Sequence, residues 1–156
     1  MRFQSATVLM TLWTFVSFSL PTQAQVNRGQ AQKCNAAVLA GKQRLETGRN
    51  LQVEIRRVNL SQNYPDHPAN RPFNYQFVMK GKPAEAVMNS PKLMTAIAAE
   101  VIQACNSVSR VTFALANSGW YHSLGLGVNG KLIWFECLDP RPGSNQKLPW
   151  GKQYCT

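Results

Sequence analysis

Four cysteines, Cys34, Cys105, Cys137 and Cys155, constrain this chain more than any other feature. No two of them form a C-x₂₋₄-C hook, so the spacing argues against a metal site, and no metal or other cofactor is expected. Their chemistry depends on compartment, and the N-terminus addresses that. Arg2 is followed by an apolar stretch from Val8 to Leu20 and then by Pro21, Thr22, Gln23 and Ala24. This is the charged, apolar and small-residue order of a signal peptide, with cleavage expected after Ala24. Thr11, Thr14, Ser17 and Ser19 interrupt the apolar run, which is short against the roughly 18 residues a spanning helix needs. There is no twin arginine and no cysteine at the cleavage point to carry a lipid. The expectation is an extracytoplasmic protein, periplasmic or secreted, with no transmembrane segment in the mature chain. An even cysteine count in such a protein predicts two disulfide bonds.

Residues 25–156, 132 in number (156 minus 24), suit a single domain with its own core. The whole chain carries a formal charge of +10, and loss of Arg2 leaves +9. Residues 25–92 hold 11 basic and 4 acidic side chains, residues 93–156 hold 5 and 3. That balance favours anionic partners: an anionic polymer, a glycan, or an envelope surface. Solubility is the plainer explanation for any single charge.

Helical spacing of Ala31, Cys34, Ala37, Val38, Gly41 and Leu45 predicts a helix over 30–46, weakened by Gly41 and ended by Gly48. Strands are predicted where Leu51, Val53 and Ile55, and later Phe73, Tyr75, Phe77 and Met79, alternate with polar residues. Between them, residues 61–72 contain three prolines and read as an extended loop. A second helix over 91–106 is marked by Ser90 as N-cap, Pro91 at the first helical position, and one apolar stripe from Leu93 to Cys105. Three strands follow, 110–116, 120–128 and 131–138. The fold class is therefore α+β, in the order αββαβββ, with an antiparallel sheet and the helices mainly on one side.

Asn129-Gly130 predicts a two-residue hairpin with both residues at positive φ. Val128 then faces Lys131, Leu124 faces Phe135, and His122 faces Cys137. The opposite sheet face would carry Tyr121 and Trp134 together, with the Trp134 ring over Gly125. This topology also narrows the disulfides. Cys105 ends the helix near the Asn129-Gly130 turn, whereas Cys137 lies at the far end of its strand, roughly 20 Å away. A bridge spans at most about 7 Å between Cα atoms. Cys34–Cys105 and Cys137–Cys155 are the expected pairs, the second stapling a proline-rich tail.

No Walker, G-x-S-x-G, H-E-x-x-H or dinucleotide fingerprint occurs. His67 and His122 are the two histidines; a pair of this kind beside Arg56, Arg57 or Arg71 is what a secreted nuclease would use, and nucleic acid is a partner under that alternative alone. The inward phase of His122 argues for a packed side chain instead. Two binding surfaces are expected: the face bearing Tyr121 and Trp134, suited to stacking on sugar rings if it is open, and a tail in which Arg141, Lys147 and Lys152 surround Trp150. A structural tryptophan beneath the Cys137–Cys155 loop is the plainer account of Trp150.

The runs SPKLMTAIAAEVIQAC, VTFALANSGWYHSLGL, NGKLIWFEC and PWGKQYC together resemble a group of small exported cyanobacterial proteins of unassigned function, over about residues 88–155. The resemblance implies an extracytoplasmic, cysteine-stapled α+β domain and carries over no catalytic residue or ligand. The expected role is a non-enzymatic binding protein for an anionic polymer, glycan or envelope component. The alternatives are a small secreted hydrolase, such as a nuclease using His67 or His122, and an inhibitor or protein-interaction module acting through the tail.

Overall fold

The computed structural model describes residues 23–139 and 147–155. The signal peptide expected over 1–24 thus lies outside the described residues except for its last two, and α1 (Gln23–Glu46) runs through the expected cleavage point. The chain continues through β1 (Gln52–Asn59), β2 (Phe73–Lys80), α2 (Ala84–Met88), α3 (Pro91–Ala104), β3 (Val108–Leu115), β4 (Tyr121–Leu126), β5 (Leu132–Trp134), β6 (Glu136–Leu138) and β7 (Lys152–Tyr154). Five strands form one sheet in the order β1-β2-β3-β4-β5, and β6 pairs with β7 separately. The fold is α+β. No helix among the described residues is long and apolar enough to cross a membrane.

The main sheet is mixed rather than wholly antiparallel. β2 and β3 run parallel, while the other neighbouring pairs are antiparallel. The cause is the helical crossover: α2 and α3 carry the chain back along the sheet before β3 begins, and a strand reached that way enters in the same direction as the one it left.

Strand alternation puts the apolar side chains on one face. Ile55, Phe77 and Phe113 fall in one row across β1, β2 and β3, with Phe77 and Phe113 stacked at 5.5 Å. Against this face α3 buries Met94, Ile97, Ala98, Val101 and Ile102. Pro91 opens that helix as expected, although Ser90 caps it without a side-chain hydrogen bond. α1 joins the same layer through Val38 and Leu45. Gly41, expected as a weakness, is the point of closest approach: a Cβ there would lie 2.9 Å from Ile97 Cγ2 and 3.2 Å from Phe77 Cζ. Helix propensity is exchanged for contact, and Cys34–Cys105 fixes the result, with Cα atoms 4.5 Å apart.

The hairpin between β4 and β5 differs from expectation by one residue. Gly130 has φ 70°, whereas Asn129 is not among the residues of positive φ. Gly130 N–H donates to Gly127 O at 3.0 Å, and Gly127 N–H to Lys131 O at 2.7 Å. This is a three-residue loop in which a single glycine takes the left-handed conformation, not the two-residue turn Asn-Gly suggests. Leu124 consequently faces Trp134, and Gly125 faces Ile133. A one-residue slip exchanges the faces of the whole strand. Trp134 therefore lies on the helix-side face beside His122, and Phe135 takes the place over Gly125 foreseen for Trp134.

The second disulfide, Cys137–Cys155, holds the short parallel pair β6 and β7 together, with Cα atoms 5.3 Å apart. Both cysteine pairings are those derived from the topology, and no described cysteine is free.

Candidate functional site

The face of the sheet turned away from the helices is polar. Its rows follow from register: Asn74, Arg110, Gly125 and Ile133 in one, Gln76, Thr112 and Ser123 in the next, Val78, Ala114 and Tyr121 in the third. Covering part of it are the 60–72 loop and the C-terminal tail. Leu60, Tyr64 and Phe135 form a small apolar cluster there, with Leu148 and Trp150 packed against it. Loop and tail are tied together by Tyr64 OH donating to Lys152 O at 3.0 Å, Trp150 N–H to Asp66 Oδ2 at 2.9 Å, and Leu148 N–H to Asn63 O at 2.9 Å. Tyr121 OH donates to the carbonyl of Tyr154.

Between these covers a cavity of about 620 Å³ remains. Its floor is Gln76, Arg110, Thr112 and Ser123; its walls are Asn63 and Tyr64 from the loop, Ala114 and Tyr121 from the sheet, and Leu148 and Tyr154 from the tail. Among these described residues Arg110 is the only charged side chain. It is 8% exposed, its Nε has no hydrogen-bond partner, and no described carboxylate pairs with it. The guanidinium instead lies 4.7 Å from the Tyr64 ring centroid and 5.4 Å from that of Phe135. Burial pushes its pKa down, with Tyr64 acting the other way; since arginine stays charged in proteins, the direction measures the cost of desolvating a cation. Burial likewise raises the Tyr121 phenol, which stays neutral and a donor.

Beside Arg110 lies a buried hydroxyl network. Thr112 Oγ1 donates to Asn74 Oδ1 at 3.2 Å, so the 2.9 Å contact with Ser123 Oγ is supplied by the serine proton. Asn74 Nδ2 has no partner. A cation without a counter-ion, next to amide and hydroxyl groups, is complementary to an anion bearing several hydrogen-bonding atoms.

The expected site residues are distributed differently. Tyr121 lines the cavity; Trp134, 39% exposed, is on the other face. Trp150 anchors the tail to the sheet, its Nε1–H donating to Leu126 O at 2.9 Å and its ring at a steep angle to those of Tyr64 and Phe135. Lys152 pairs with Glu136, Lys147 is exposed, and Arg141 lies outside the described residues. His67 stays in the loop, bonded to Ser61 and Pro68. His122 lies between Trp120 and Trp134 on the helix side, so the structure does not bring the two histidines together. Of the expected clamp, Arg56 pairs with Glu54, Arg57 covers the Phe73 ring at 3.5 Å, and Arg71 donates to the carbonyls of Ile102 and Val108 near the end of α3. Among the described residues no three His, Cys, Asp or Glu gather as metal ligands.

No family model, no curated protein and no solved structure matches the chain. The cavity's central residue, Arg110, was not among the expected site residues. The available signal was its phase: Arg110, Thr112 and Ala114 alternate with Val111, Phe113 and Leu115, placing a cation on the face left bare by the helices.

Proposed function

We propose that this is an exported, non-enzymatic binding protein for an anionic ligand of the glycan or envelope-polymer class, which it holds in the cavity around Arg110. The observation that carries the reading is Arg110 itself, more than nine-tenths buried, without a carboxylate partner, and lining a cavity of amides and hydroxyls. A buried cation is costly to a fold, and an incoming anion offsets that cost as it binds. The expected export signal and the two disulfides support an extracytoplasmic setting, where such ligands occur.

Retention on an immobilised anionic glycan such as heparin, across a salt gradient, tests this. Arg110→Met should elute at clearly lower salt than the parent, whereas Arg28→Met, which removes the same charge from an exposed site on α1, should shift little. Equal shifts would reduce the binding to bulk charge and overturn the reading.

A further inference from the structure

The cavity does not end at Ala114. A second hollow of about 470 Å³ on the same sheet face shares Gln76 and Ala114 with the first and continues toward Gln52 and Lys80. The two form one trough running from Arg110 toward the far ends of β1 and β2. Asn74 is the neighbour of Arg110 on β2, and the six positions from Asn74 to Lys80 correspond to about 20 Å at 3.3 Å per residue.

Building on the function proposed above, we propose that this trough binds an extended acidic oligosaccharide, with one sugar carboxylate on Arg110 and neutral or acidic rings continuing past Ala114. Three features select this class. Charge comes first: the inner end holds one cation, matching one carboxylate and offering nothing to a second negative charge, as a phosphate monoester or polyphosphate would require. Next is the lining beyond Arg110, where Gln76, Thr112, Ser123, Gln52, Asn117 and Ser118 present amides and hydroxyls and the outer hollow adds Lys80 and the mutually paired Glu54 and Arg56; these suit a ligand rich in hydroxyl groups that carries further negative charge at its outer end. The third is the engagement of the aromatic wall. The Tyr64 ring faces the Arg110 guanidinium and meets the edges of Phe135 and Trp150, so it provides no stacking platform of the kind single-stranded nucleic acid uses. The ligand also lies across a sheet face rather than along an edge, which denies a peptide the backbone pairing that usually holds it.

Calorimetric titration of the mature protein tests the proposal with five probes: glucuronate, a linear tri-uronate, a neutral trisaccharide, oligothymidylate and oligoglutamate. The tri-uronate is expected to bind at least tenfold more tightly than glucuronate and than the neutral trisaccharide. Val78→Phe, which places a ring in the second hollow at a residue that does not line the first, should remove that gain and leave glucuronate binding intact. Gln76→Ala, a change that only removes atoms, should lower tri-uronate affinity several-fold, and serves if the larger substitution disturbs the sheet. Tri-uronate binding no tighter than glucuronate, with both lost in Arg110→Met, would overturn the extended site while leaving the anion-binding function standing. Tightest binding of oligothymidylate or oligoglutamate would overturn the glycan assignment. Absence of any Arg110-dependent binding would remove the proposed function as well.

Discussion

Arginine at position 110 occupies a place where a methionine would be easier to accommodate. Its neighbours are aromatic rings and hydroxyls, and buried charges replaced by apolar side chains of similar size are often neutral to stabilising. Arg110→Met should therefore leave stability within about 1 kcal/mol of the parent, or above it, by urea denaturation, while ligand binding is lost. A loss beyond about 2 kcal/mol would make Arg110 a structural residue and remove it from the site. Gly125 is constrained in the opposite sense. A Cβ there would meet Phe135 Cε1 at 2.5 Å and Trp150 Cζ2 at 3.0 Å, so Gly125→Ala should cost about 1–3 kcal/mol by overpacking. The pH dependence belongs to His122. Burial lowers its pKa, and Trp120 Nε1–H donates to its Nε2 at 3.2 Å, a bond only the neutral ring can accept. With the folded pKa below the unfolded value of about 6.5, the unfolded chain takes up the proton first. Stability is full above that pH and falls as pH drops through the window below it. Glu54 and Glu136, held below the usual carboxylate range by Arg56 and Lys152, stay ionised across this window and lose their pairing only at lower pH. Denaturation at pH 7 and pH 5.5 should show the decline, and His122→Phe should flatten it.

Among the elements, the C-terminal strand is the one most dependent on its crosslink. β7 is three residues long and pairs with a three-residue β6, and the Cys137–Cys155 bridge closes a separation of 18 residues. Loop-closure entropy gives such a bridge about 3 kcal/mol. Replacing both cysteines by serine should release the tail, with loss of amide protection in β6 and β7 and weaker ligand binding, while the five-stranded sheet stays protected in hydrogen exchange. Protection lost throughout the sheet would contradict this division. The same elements show what the sequence makes legible. α3 could be read because proline and an apolar stripe agree, and both disulfides because strand lengths exclude the rival pairing. β7 could not: three residues carry too little alternation. The short α2 escaped for the same reason, with five residues and no full apolar stripe. The β4–β5 register was misread because Asn129 tolerates positive φ without requiring it, so Asn-Gly fits both a two-residue and a three-residue loop. That single residue moved Trp134 to the helix side, while Tyr121, whose place follows from the β3–β4 pairing, stayed on the face that carries Arg110. Residue types on each strand were readable; which strands share a face depended on a turn that local sequence leaves ambiguous.

The whole molecule is divided by its sheet. One face is sealed by three helices and a disulfide between α1 and the end of α3; the other is left polar and only partly covered by loop and tail. The positive charge of the chain is a poor guide to where a ligand binds, since Arg44, Arg56 and Lys152 are engaged with Glu100, Glu54 and Glu136. In the proposed function the cation that carries binding is the buried one. Amide chemical-shift mapping during titration with glucuronate tests this most directly. The account predicts shifts concentrated at Gln76, Arg110, Thr112, Tyr121 and Ser123, and their disappearance in Arg110→Met. Shifts spread over the exposed basic residues of α1, or unchanged in Arg110→Met, would contradict it.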